Sequence, residues 1–157
     1  MVVRVAESRT VPVALEAAYD RTLVAPLPEI FVHRHLAIPP VVGVDGQDGE
    51  WGREVGQTRT IRTSDGGSLH ETLAVIDRPH RFTYTLDRVR GPMRPLVRQV
   101  AGAWTFEAAG AGTTVTWSWE LTPTSPLTAP VVALVARMWH GYARHALMTL
   151  ESVVGHH

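Results

Sequence analysis

The chain contains no cysteine among its 157 residues. Disulfides, thiolate metal sites and a cysteine nucleophile are thereby excluded together, and the lack of thiols suits a reducing compartment. Lysine and asparagine are also absent, and all fifteen basic residues are arginine. With abundant alanine, valine and glycine, this usage predicts a GC-rich, bacterial coding sequence. Net charge is missing too, because fifteen acidic residues cancel the basic ones and neither sign forms a long run. Such a surface offers no electrostatic footprint for nucleic acid or an anionic membrane, so neither is predicted as a partner. No apolar run approaches the roughly 20 residues that span a bilayer. Arg4 and Glu7 interrupt the N-terminal apolar stretch, which argues against a secretory leader. A cytoplasmic protein without stable membrane insertion is the expectation, as a monomer or a homodimer. Motifs for nucleotide binding, serine hydrolysis and zinc proteolysis are missing, and no cofactor is predicted.

What is present is apolar and periodic. With 45% hydrophobic and 19% charged residues, the chain suits one domain with a sizeable core, placed at residues 1–154. The tail 155–157, Gly155-His156-His157, is native or the start of an affinity tag, and its histidines are given no ligand role. In GTTVTWSWEL, Val115, Trp117, Trp119 and Leu121 alternate with Thr114, Thr116, Ser118 and Glu120, the pattern of a strand with one apolar face. Two indoles so close on one face require something large opposite them.

Earlier segments supply the rest of a sheet. Val3, Val5 and Val11 lie in a first strand, ALEAAYDRTL carries helical spacing, and PEIFVHRHL predicts a second short helix ended by Pro39-Pro40. Strands are predicted at 41–46, 53–64, 68–77, 81–89, 96–107 and 113–121. If Gly66-Gly67 forms a two-residue turn, Arg62 stands opposite Glu71 and Thr60 opposite Leu73. The last segment, VVALVARMWHGYARHALMTLESVV, reads as a helix of about 25 residues, close to 37 Å long. Thr128 is its predicted cap, with Pro130 in the first turn. Its predicted inner stripe is Leu134, Val135, Met138, Tyr142, His145, Ala146, Thr149, Leu150 and Val153. Arg137, His140, Arg144 and Glu151 take the other side.

This order resembles the helix-grip fold of the START and birch-pollen-allergen superfamily, SRPBCC: an α+β architecture with a curved seven-stranded antiparallel sheet around a long C-terminal helix and two short helices after the first strand. GQTRTIRTSDGGSLHETLAVIDRPHRFTYTL and GAWTFEAAGAGTTVTWSWELTP are similar to the bacterial polyketide cyclase/dehydrase-like branch. The resemblance implies a pocket between sheet and helix. Trp117, Trp119, Trp104, Phe106 and Tyr84 would then face Met138, Tyr142 and His145 across either a cavity or a filled core.

Candidate chemistry follows from the polar residues on that face. Glu71 shares alternation with Leu69, Leu73 and Val75, so it points inward and needs a partner, Arg62 first or Arg59 if the turn shifts. It is either a proton acceptor or anchor, with Arg62 orienting a carbonyl, or half of a structural ion pair. Tyr142 and His145 could perform acid–base work from one helix face, whereas a lone helical histidine is more often bonded locally. His33 and His35 form an H-x-H pair that lacks further ligands, so no metal site is predicted. The leading expectation is binding of a lipid, polyketide or aromatic metabolite by the aromatic residues. The alternatives are a polyketide cyclase/dehydratase using Glu71, Arg62, Tyr142 and His145, and a regulatory interaction module with a vestigial cavity.

Overall fold

The structure, a computed structural model, describes residues 2–155. His156 and His157 of the predicted tail lie outside the described residues, and the last helix runs through Gly155. Chain order is β1 (Val3–Val11), α1 (Leu15–Val24), α2 (Leu27–Ile30), β2 (Val41–Asp45), β3 (Thr58–Thr63), β4 (Ser68–Asp77), β5 (Arg81–Arg90), β6 (Val97–Ala109), β7 (Gly112–Pro123) and α3 (Ala129–Gly155). The strands form one seven-stranded antiparallel sheet in the order β1-β7-β6-β5-β4-β3-β2. Strands β2 to β7 are a meander of neighbours, and β1 closes it by pairing along β7 from Val3↔Leu121 to Val11↔Thr113. Because β1 and β2 are at opposite edges, α1, α2 and the segment after them must cross the sheet between them. This is the helix-grip fold.

Register shifts in the β4–β5, β6–β7 and β2–β3 pairs add local bend and twist, which helps the sheet to curve around α3. One shift lies between Leu73 and Val75, so Leu73 is fully buried while Val75 leaves the inner face predicted for it. On β7 the alternation holds: Val115, Trp117 and Leu121 are buried.

Three elements differ from the sequence reading. The second helix stops at Ile30, because the Phe31 carbonyl accepts the Val41 amide (2.9 Å) rather than that of His35, which pairs with Ile38 (3.1 Å). The strand predicted from 53 begins at Thr58. Upstream, the Gln57 side chain gathers the amides of Gly52, Arg53 and Glu54 at 2.8–3.2 Å and folds the segment into a compact loop. The Thr128 hydroxyl does not cap α3; it donates to the Ser125 carbonyl at 3.0 Å, while the Thr128 carbonyl receives the Val131 and Val132 amides.

Helix α3 is 27 residues, about 40 Å long. Its buried line is Val132, Val135, Ala136, Trp139, Tyr142, Ala143, Ala146, Leu147, Leu150 and Val154. Relative to the predicted stripe the helix is rotated toward Trp139, which leaves Leu134 51% exposed and His145 in solvent. Trp139 packs 4.8 Å from the Trp117 ring, and small Ala136, Ala143 and Ala146 let the helix approach the sheet. On the far side, Glu7 of β1 accepts from Arg144 Nε at 3.1 Å and pairs with His140 Nδ1 at 2.7 Å.

Candidate functional site

Inside the grip is a cavity of about 140 Å³, the scale of an apolar cavity that accepts a single aromatic ring. Its walls come from the inner face of β3 to β7, from α3 through Val135, Tyr142 and Leu150, and from the crossing segment through Phe31, Ile38 and Pro39. Thr63, Asp65, Ser68, Arg90 and Pro92 form its more exposed rim.

The interior geometry grows from rows of residues across the sheet. One row runs Leu73, Tyr84, Gly102, Trp119 and Val5 on five successive strands. Gly102 leaves a gap in it. A Cβ at that position would overlap the Tyr84 ring, so the missing side chain lets the phenol lie flat across β6 and reach β7. There the Tyr84 oxygen accepts hydrogen bonds from Trp117 Nε1 at 2.8 Å and Trp119 Nε1 at 3.0 Å. Trp117 is held in turn by Trp104, stacked at 5.3 Å, and by Phe31 at 5.1 Å. Burial pushes the Tyr84 hydroxyl well above the ordinary phenol range; the two indoles pull against this, and the charge of Glu71 adds to it. Tyr84 is therefore a neutral phenol at any physiological pH.

The next row places Glu71 opposite Leu86 and, across β3, opposite Arg59. Arg59 Nε donates to Glu71 Oε1 at 2.6 Å and Arg59 Nη1 to Gln47 Oε1 at 3.2 Å, while the guanidinium lies 3.9 Å above the Trp51 ring. Both members of the ion pair are buried. Desolvation raises the Glu71 carboxyl above its ordinary value, and the Arg59 charge and hydrogen bond offset part of that rise.

The cross-strand pair expected between Arg62 and Glu71 is not formed. Arg62 lies opposite Ser68, Thr60 opposite His70, and Arg59 opposite Glu71. The Gly67 carbonyl accepts the Thr63 amide at 3.0 Å, so the turn is longer than Gly66-Gly67 and β3 is displaced by three positions. An odd displacement reverses the face. Arg59 and Ile61 point inward, and Arg62 pairs with Asp45 outside at 2.5 Å.

Tyr84, Trp104, Trp117, Trp119 and Tyr142, all expected at the pocket, line the cavity. The Tyr142 hydroxyl donates to the Pro39 carbonyl at 3.1 Å, which ties α3 to the crossing segment. Burial raises its pKa as it does that of Tyr84. Phe106 is buried outside the cavity, against Tyr19 at 5.3 Å and Phe82 at 6.0 Å. Met138 is half-buried and does not line it. His145 does not join Tyr142; it is exposed on the outer face, with ring centroids 5.4 Å from His33 and 6.0 Å from His35. Among the described residues, no group of three or more His, Asp or Glu side chains is arranged to hold a metal ion. Sequence reasoning missed the Gly102 gap and the Trp51 stack on Arg59. An isolated glycine within the strand pattern of β6 was the one available signal of a close approach.

The sequence profile described as "Polyketide cyclase / dehydrase and lipid transport" matches residues 2–155. The chain belongs to this family. Among solved structures, it is similar to Ara h 8.0201, with 17% identity, 98% of each chain covered and a TM-score of 0.68. It is also similar to the ginseng major latex-like protein 151 from Panax ginseng, with 15% identity, 97% of each chain covered and a TM-score of 0.68. A protein from Nitrosospira multiformis matches at 18% identity over 96% of this chain and 94% of that one, with a TM-score of 0.63. A search of curated proteins finds no significant match. At such identities the likeness establishes the SRPBCC fold, and among the described residues no helix is long and apolar enough to cross a membrane.

Proposed function

We propose that this protein binds a small hydrophobic or amphipathic molecule in the cavity between sheet and α3. One observation carries the reading: an apolar cavity whose wall includes Trp104, Trp117 and Trp119, and in which the few interior polar groups converge at one end around Tyr84, Glu71 and Arg59. Such a lining takes an apolar body and orients it by a few polar contacts. The family, described by polyketide cyclisation and lipid transport, supports the same class of ligand.

Calorimetric titration with toluene, a neutral single ring on the scale of the cavity, tests this. Saturable binding is expected, and it is lost in Leu69→Trp, which fills the cavity from a half-buried wall position. Binding that is unchanged in a folded Leu69→Trp protein overturns the reading.

A second reading, carbonyl cyclisation or dehydration, draws on Glu71. A buried carboxyl whose proton affinity is raised by desolvation suits removal of a proton from carbon beside a carbonyl, with the Tyr84 hydroxyl donating to the resulting enolate oxygen. It requires Glu71→Gln to abolish turnover while toluene still binds.

A further inference from the structure

We propose that Tyr84 reads a carbonyl oxygen, so that the cavity selects neutral, carbonyl-bearing apolar molecules over hydrocarbons and carboxylates. The inference rests on the binding function just proposed and deepens it.

A phenol has two acceptor positions and one hydrogen to donate. Both acceptor positions of Tyr84 are taken, by Trp117 Nε1 at 2.8 Å and Trp119 Nε1 at 3.0 Å. The hydrogen has nothing to bond: among the described residues, no acceptor stands within hydrogen-bond reach of Tyr84 as a donor. Two indoles also fix the direction in which that hydrogen points, because they occupy the other sites around the oxygen. All three side chains line the cavity, so an acceptor atom brought by a ligand is the group that completes the set. Donors feeding the oxygen polarise its O–H and strengthen the bond it gives. An unmet donor in a buried site also costs free energy that the ligand's acceptor recovers.

Charge narrows the acceptor to a neutral one. Arg59, the buried arginine in the wall, is committed to Glu71 at 2.6 Å and Gln47 at 3.2 Å and lies over Trp51. Glu71 cancels its charge and would repel a carboxylate placed beside Tyr84. Arg90, the other arginine on the wall, sits exposed at the rim in water. A carboxylate drawn there would leave the Tyr84 hydrogen unanswered. The volume of about 140 Å³ admits one ring with a short substituent.

Acetophenone, α-methylstyrene and benzoate form a matched test, being a ketone, its hydrocarbon isostere and a carboxylate of one ring. Affinities are measured by calorimetric titration of each compound into the full chain. Acetophenone is expected to bind about tenfold more tightly than α-methylstyrene, and benzoate more weakly than either. In Tyr84→Phe, with Trp117→Phe and Trp119→Phe added so that no freed indole N–H stands in as donor, the preference for the ketone should collapse to near unity. Should that variant fail to fold, the infrared carbonyl stretch of acetophenone on the wild-type protein decides, since a hydrogen bond from Tyr84 moves it to lower frequency than in hexane. Equal affinity for ketone and hydrocarbon, an unshifted carbonyl stretch, or tightest binding of benzoate overturns the inference and leaves the binding function standing. Binding of none of the three, where toluene still binds, also overturns it. A protein that fails to take up toluene as well loses both readings.

Discussion

Gly102 decides where Tyr84 can lie, and that makes a glycine the most informative single position in the molecule. In Gly102→Ala the new methyl would meet the phenol ring over β6, so either the ring or the strand must shift. Overpacking of this kind costs about 1–3 kcal/mol. We expect lower stability in urea denaturation and a change in tryptophan fluorescence as the bonds of Trp117 and Trp119 to the Tyr84 oxygen are disturbed; a variant as stable as wild type with unchanged fluorescence would show that the ring has room. Glu71 makes a prediction in pH. Its carboxyl is raised above 4.5 by burial, against the pull of Arg59, so the folded chain holds that proton more tightly than the unfolded chain does. The stability contributed by Glu71 is therefore fully present below about pH 4.5 and declines as pH rises through the raised value. The stability difference between wild type and Glu71→Gln should fall across that window; a difference that grows with pH would mean that Arg59 outweighs burial.

At the scale of elements, the period of each segment was legible and its phase was not. The alternation of Val115, Trp117 and Leu121 identified a strand and its buried face, because Thr and Ser hold the other side without ambiguity. In α3, apolar residues occupy more than half of the circumference, so the 3.6-residue period left several rotations open. Contact of Trp139 with Trp117 chose among them, turning His145 outward while keeping Tyr142 in. Trp139→Ala is accordingly expected to cost about 3–5 kcal/mol, and Leu134→Ala, at a 51% exposed site, within about 0.5 kcal/mol of wild type. Thermal or urea unfolding of the two variants checks this, and comparable losses would contradict the observed rotation. Strand β3 shows the same limit in register. Ser-Asp-Gly-Gly announced a hairpin, but the length of its turn exchanged Arg62 for Arg59 as the partner of Glu71.

At the scale of the whole molecule, the cavity is closed by a segment far from it in sequence. Residues 31–41 lie over one side, held by the Tyr142 hydroxyl on the Pro39 carbonyl and by the Phe31 ring, stacked 5.8 Å from Tyr142. Tyr142→Phe keeps the stack and removes the hydrogen bond, with an expected loss of about 1 kcal/mol. If the segment gates access, NMR line-shape analysis of fluorobenzene exchange will show faster release from this variant; an unchanged release rate would mean that ligands pass elsewhere, by the rim at Arg90.

By itself the sequence determined the strand and helix periods, the order of the elements, the inward position of Glu71 and the aromatic content of one face. These are local properties, set by steric alternation and by polar residues that cannot be buried without partners. Tertiary structure alone decided the β3 register, the rotation of α3 and the placing of Tyr84 over Gly102. Each of these depends on atoms distant in the chain meeting at a fixed separation: a turn that adds residues, an indole that seats against another, and a missing methyl that lets a phenol cross a strand. The polar end of the cavity is a product of those three meetings.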